Sequence, residues 1–174
     1  SNAPHLVFAR KGVRYGAAQL FDHMAMDGLE DAYERGKAMG VFAEQCVEKY
    51  QFTREAQDHF AVHSTTRSRA ANEDGSFDWE MAPVTVAGKA GPSVVKFDEQ
   101  PFKARLDKIP GLKPAFKKGG TITAANASSI SDGAAALVLV RESTARQMGL
   151  SPLARIVSHA VHAQAPEWFA TAPA

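Results

Sequence analysis

GGTITAANASSISDGAAALVLV, residues 119–140, decides how the rest of the chain is read. A glycine pair and an alternating Thr/Ile/Thr run lead into the small polar segment Asn126-Ala127-Ser128-Ser129. Ser131-Asp132-Gly133 then turns into a continuous apolar run. Ala134 to Val140 has no polar alternation and is bounded by turn residues and Arg141, which predicts a strand buried on both faces. Small side chains before such a strand allow close approach of another group. Ser128 and Ser129 offer hydroxyls, and Ala124, Ala125 and Ala127 leave room for a ligand. The same residues also suit a tight loop in which Asn, Ser and Asp bond their own backbone and Gly133 supplies an unusual dihedral. Physical reading alone leaves both open.

The chain has 174 residues, 45% hydrophobic content and a formal charge of +1, enough for one compact core or a core with a small lobe. Near-neutral charge gives no whole-chain case for nucleic acid. The lone Cys46 excludes an internal disulfide framework, and no CxxC metal pattern occurs. No apolar run is long enough to span a bilayer, and the start lacks a basic, apolar signal pattern. A reducing, cytoplasmic setting without a membrane is therefore expected. The opening Ser1-Asn2-Ala3 is readable as a tag scar or as native sequence.

Pro4 to Phe21 carries Arg10, Lys11 and Arg14 among glycines and aromatics and reads as an extended arm or hairpin. Asp22 to Tyr33 gives a short amphipathic pattern interrupted at Asp27-Gly28. From Met39 to Tyr50, the four-residue spacing of Phe42, Cys46 and Tyr50 predicts one helical face with Cys46 as a core thiol. Thr53 is the expected N-cap of a helix ending at Asp74-Gly75, with Ala56, Phe60 and Ala71 as its buried stripe. His59 and His63 sit four apart, but Phe60 stands where a metalloprotease motif needs Glu, so a solvated face is expected. Ala82–Val86 and Ser93–Phe97 predict a hairpin. Lys103, Arg105, Lys108, Lys113, Lys117 and Lys118 form the densest basic segment, a charge run suited to an anionic ligand or simply to solvent. Ser143 to Met148 predicts a short helix capped by Ser143, and Ala154 to Ala163 a last strand.

ITAANASSISDGAAALVL, with LKPAF shortly before it, resembles the part of thiolases that lines the pantetheine channel. Thiolases are the acetyl-CoA acetyltransferase and 3-ketoacyl-CoA thioester-cleaving family. The resemblance covers nearly all of this chain but a middle part of a thiolase. It implies a mixed α/β fold, with residues 1–130 as the inserted coenzyme A-binding and oligomerisation lobe and 131–174 as the returning strand-helix-strand of the first core half. It also implies that the Pro4 to Phe21 arm reaches neighbouring subunits in a homo-oligomer, a dimer or tetramer.

Residue by residue, the resemblance implies that Leu29 packs against coenzyme A and that Met39 lines the acyl and pantetheine channel. Phe116 of LKPAF stands beside the pantetheine arm, with Ala124, Ala127, Ser128 and Ile130 along the same channel. Ala38 departs from the histidine that many members carry before the methionine, and Pro101-Phe102 stands where the family's adenine-site arginine is often found. The family's chemistry needs a nucleophilic cysteine, an activating histidine, a second cysteine and an oxyanion site. The CxSG, NEAF, GHP and CxGGG segments that supply them do not occur here, and Cys46, Asn126, His159 and His162 do not match them. The implied function is acyl transfer on coenzyme A thioesters, with coenzyme A as substrate, no further cofactor and no catalytic group from these residues. A stand-alone, non-catalytic coenzyme A-binding or oligomerisation module is the alternative.

Overall fold

A computed structural model describes residues 2–174, so Ser1 of the opening tripeptide lies outside the described residues. The arm closes on itself as expected of a hairpin: β1 (His5–Leu6) pairs antiparallel with β2 (Phe21–Asp22). Phe8 meets Phe21 edge to face at 5.3 Å. A π-helical turn over Ala25–Leu29 follows, and an isolated antiparallel bridge joins Glu30 to Ala38.

Helix α1 (Met39–Tyr50) has its two faces covered by different parts of the chain. Phe42 and Cys46 are buried as the spacing predicts, although Tyr50 at the helix end is exposed. Phe42 meets Phe169 edge to face in the 3-10 turn Pro166–Thr171, and Lys49 lies 4.2 Å from the Trp168 ring. The opposite stripe of α1 contains Gly40, Glu44 and Glu48, spaced by four, and faces residues 116–122.

Helix α2 (Arg54–Glu73) starts under the Thr53 hydroxyl, which accepts the Ala56 N–H at 3.1 Å, and stops before Gly75 as expected. Its buried stripe is not the expected one. Phe60 is 74% exposed, and the buried residues are Asp58, Ala61 and Asn72, with Arg54 and Arg69 half-buried beside them. The cause is what the helix packs against. Arg54 donates to Ile109 O and Leu112 O at 3.1 and 2.9 Å, and Arg69 to Pro101 O and Ala104 O at 2.7 and 2.6 Å. Irregular backbone presents unpaired carbonyls, so a face that covers it must carry donors instead of aliphatic side chains.

The hairpin forms as β3 (Val84–Val86) and β4 (Ser93–Val95), antiparallel with Val84 opposite Val95. The short α3 (Glu99–Lys103) and a 3-10 turn over Leu106–Gly111 then lie along α2. The last helix is α4 (Glu142–Gln147), whose N-cap is Arg141 and not Ser143.

The apolar run was expected to be a doubly buried strand and is exposed: Leu137 is 86% and Val138 90% accessible, without a β-ladder. Residues 154–163 likewise form no strand and are exposed. A strand buries both faces only between sheet neighbours and covering layers, and neither two-stranded sheet among the described residues includes these segments. The chain is thus a mixed α/β unit in which residues 2–128 hold most of the packing.

Candidate coenzyme A surface

The site is built on the start of α1. Glycine at position 40 lets an aromatic ring lie directly on the helix backbone: a β-carbon there would overlap the Phe116 ring. Met39, the first residue of α1, stands next to that contact. The isolated Glu30–Ala38 bridge brings the end of the π-helical turn, which closes at Leu29, alongside the start of α1. Met39 and Phe116 are therefore brought together from positions far apart in sequence, and the turn that closes at Leu29 lies at the same end of α1. Met39 and Phe116 are each 39% exposed, which makes this a one-sided apolar surface and not a closed pocket.

The loop after Phe116 is held by both helices. Gly119, at φ +74°, turns the chain back so that Ala115 N–H reaches Ile122 O at 2.8 Å. Glu44, 3% exposed, accepts the backbone N–H groups of Thr121 and Ile122, each at 2.8 Å from Oε1, and its Oε2 lies 3.2 Å from the Thr121 hydroxyl. One turn further along α1, Glu48 pairs with Lys117. That carboxylate raises the Lys117 pKa above its ordinary value, through the hydrogen bond first and its charge second.

From α2, Gln57 donates to the Thr121 hydroxyl at 3.0 Å. Asp58 takes Arg54 at 2.7 Å and the Asn126 amide at 3.2 Å. Asn126 in turn accepts Thr123 N–H at 2.7 Å and donates to Thr121 O at 3.2 Å. Thr123 is fully buried within this network, its hydroxyl accepting Ala125 N–H at 3.2 Å.

Ala124 and Ala127 lie in the turn so held, where Ala127 N–H donates to Thr123 O at 3.0 Å. Ser128 and Ile130 are exposed beyond the last of these bonds, and the Ser129 and Ser131 hydroxyls lie 2.9 Å apart. The loop is therefore polar and self-bonded through Asn126, as the tight-loop reading had it, although Gly133 does not take the positive φ that an unusual dihedral there would require.

Sequence reasoning missed Gly40, Glu44, Gln57 and Asp58, and of Asn126 it had the bonds to its own loop but not the one to Asp58. The readable signal was the Gly40-Glu44-Glu48 spacing, which puts an acid within a helix whose other positions are largely apolar. Of two clefts, one of about 370 Å³ lies beside Asp31, Tyr33 and Phe42, and one of about 270 Å³ lies between Phe52, Gln57, Phe60 and Asn126, against the outer side of the loop network. Neither is lined by an expected coenzyme A residue. Four of the six basic residues face acids: Lys103 meets Glu99, Arg105 and Lys108 meet Asp107, and Lys117 meets Glu48. His59 and His63 lie exposed on α2 with their rings stacked at 6.4 Å. No helix among the described residues is long and apolar enough to cross a membrane.

Residues 1–143 match the family described as thiolase, N-terminal domain. Acetyl-CoA acetyltransferase 2 of Arabidopsis thaliana is 53% identical over the whole of this chain, which covers 44% of that protein. In three dimensions the chain resembles the acetyl-CoA acetyltransferase of Bacillus anthracis, with a TM-score of 0.86 and 40% identity over 94% of this chain and 42% of that one. It also resembles a thiolase of Ascaris suum solved in complex with coenzyme A, with a TM-score of 0.76 and 40% identity over 87% of this chain and 38% of that one. The chain thus spans less than half the length of each of these relatives.

Proposed function

The chain belongs to the thiolase family, and from that premise we propose that it supplies the pantetheine-binding surface of an acyltransferase that condenses or cleaves acyl-CoA thioesters. The observation that carries this reading is the seating of Phe116 on Gly40 beside Met39, a contact across more than seventy residues of chain that only the fold makes. Pantetheine is a long, mostly uncharged chain with two amides. A strip of Leu29, Met39 and Phe116, continued by Ala124, Ala127 and Ile130, gives it apolar contact, and Ser128 gives one hydrogen-bonding point. That the Ascaris suum relative was solved with coenzyme A bound supports the choice of ligand.

The division into a lobe of residues 1–130 and a core-returning segment of 131–174 is part of this reading. The exposed apolar run 134–140 supports it, because such a run gains burial only by joining a sheet. The arm serves subunit association in a homo-oligomer, and the lone, buried Cys46 suits a reducing, cytoplasmic setting. The nucleophile and acid-base groups of acyl transfer are assigned to segments other than these residues.

Calorimetric titration with coenzyme A tests the surface. Ser128→Ala weakens binding by about one hydrogen bond, on the order of 0.5 to 1.5 kcal/mol. Ala127→Leu does more harm, because it fills the channel. Undiminished affinity in folded Ala127→Leu protein overturns the assignment of the whole surface.

A further inference from the structure

Glu44 is a buried carboxyl group that no salt-bridge partner meets among the described residues; two successive backbone N–H groups and one hydroxyl donate to it instead. Burying a carboxylate this way is costly, and an apolar residue would fill the space without that cost. What an apolar residue would not do is hold the loop, since the Thr121 and Ile122 N–H groups would lose their acceptor. The fit is close on the other side too: a β-carbon at Gly120 would overlap Glu44 Oε1.

We propose that Glu44 is a positioning residue for the pantetheine surface: its carboxylate fixes the Gly120–Ile122 backbone, and through the Ala115–Ile122 hydrogen bond fixes Phe116 over Gly40. This rests on the reading of that surface as the coenzyme A site. The linkage is short. Ile122 is bonded at its N–H to Glu44 and at its carbonyl to Ala115, the neighbour of Phe116. Gly40, Glu44 and Glu48 share one face of α1, so one helix sets the ring, the loop backbone and Lys117 together. On the far side of the loop, Gln57 and Asp58 hold Thr121 and Asn126, so the Glu44 bonds complete a clamp between two helices.

The test uses a full-length thiolase carrying this sequence, with Glu44→Gln, Glu44→Ala and Gly120→Ala. The probes are coenzyme A, free pantetheine, and adenosine bisphosphate as the nucleotide half alone. Amide exchange at Thr121 and Ile122 is followed beside calorimetric affinity. Glu44→Gln keeps an oxygen acceptor and loses little. Glu44→Ala and Gly120→Ala speed exchange at both amides and weaken coenzyme A and pantetheine by about tenfold, the loss of roughly one to two hydrogen bonds. Adenosine bisphosphate affinity holds. Asn72→Ala, which removes a buried hydrogen bond at the far end of α2, is the control for lost stability and leaves pantetheine affinity unchanged. Unaltered exchange in Gly120→Ala and in folded Glu44→Ala refutes the clamp. Faster exchange with unchanged pantetheine affinity, while Ala127→Leu still blocks binding, refutes the positioning role and leaves the site standing. If neither Glu44→Ala nor Ala127→Leu affects binding, the site itself is misplaced and the inference goes with it.

Discussion

Phe116 lies across Gly40 so closely that the ring occupies the space where any other residue would carry its β-carbon. Alanine normally gains about 1 kcal/mol over glycine within a helix. Here the added methyl must push the ring off α1, an overpacking cost of about 1 to 3 kcal/mol. Gly40→Ala is therefore expected to lower stability in denaturant titration, and Phe116→Leu in the same chain to restore part of it. A stabilised Gly40→Ala single variant shows that the ring is not seated there.

The Glu48–Lys117 pair ties the loop to α1 at the surface. Because the Lys117 pKa is raised on folding, its contribution is fully present below the ordinary value of 10.5 and is lost as pH rises through the higher folded value. Thermal unfolding of the native chain is thus expected to fall more than that of Lys117→Met as pH is raised from about 9.5 to about 12, the range in which lysines titrate. High salt shrinks the difference, since both side chains are exposed. Parallel pH profiles for the two proteins rule the pair out as a contributor.

Helix α1 ends on Gln51 in the left-handed conformation, φ 57°, where its N–H still reaches Val47 O. A side chain in that region costs about 1 to 2 kcal/mol, and glycine avoids the cost. Gln51→Gly forfeits the side-chain bond to Glu48 O, which is exposed and worth less. A net gain of about 0.5 to 1 kcal/mol is expected by chemical denaturation. A lower midpoint denies that Gln51 is strained.

Local signals were legible where a residue acts within its own element. Thr53 capping α2, the Val84–Val95 hairpin and buried Phe42 and Cys46 follow from spacing alone. The buried face of α2 did not, because Arg54, Asp58 and Arg69 answer to carbonyls and an amide on residues 101–126, partners that helical periodicity does not register. Residues 134–140 show the converse. Their apolar run states a demand for burial, but whether the demand is met depends on strands that are not beside them here. The proposed coenzyme A residues came from resemblance, and Glu44, which holds their loop, was hidden because an acid in a helix usually faces solvent.

The arm exposes Phe8, Val13, Tyr15 and Leu20, with Arg10, Lys11 and Arg14 between them, and its hairpin closes at β1 and β2. Aromatic and arginine side chains in such a mixture are enriched at interfaces. Deleting residues 7–19 from a full-length thiolase carrying this sequence is expected to lower its oligomeric state by sedimentation. Identical assembly with and without the arm removes it from the interface.

Cys46 tests whether these residues hold any catalytic group. It is 8% exposed on the Phe42 side of α1, in a helix sandwiched between the Pro166–Thr171 turn and the Phe116 loop. A nucleophilic cysteine needs access and an electropositive neighbour or a partnered base. The groups ordered around Glu44 are a carboxylate, amides and hydroxyls instead, on the opposite stripe of the helix. The 174-residue chain is accordingly expected to bind coenzyme A without cleaving acetoacetyl-CoA. Cys46→Ser should cost about 1 to 3 kcal/mol of stability, because a hydroxyl replaces a thiol in apolar surroundings, and should leave coenzyme A affinity unchanged. Thioester cleavage by the purified chain that disappears in folded Cys46→Ser protein would make Cys46 the acyl carrier, and the nucleophile would then have to be placed within this chain.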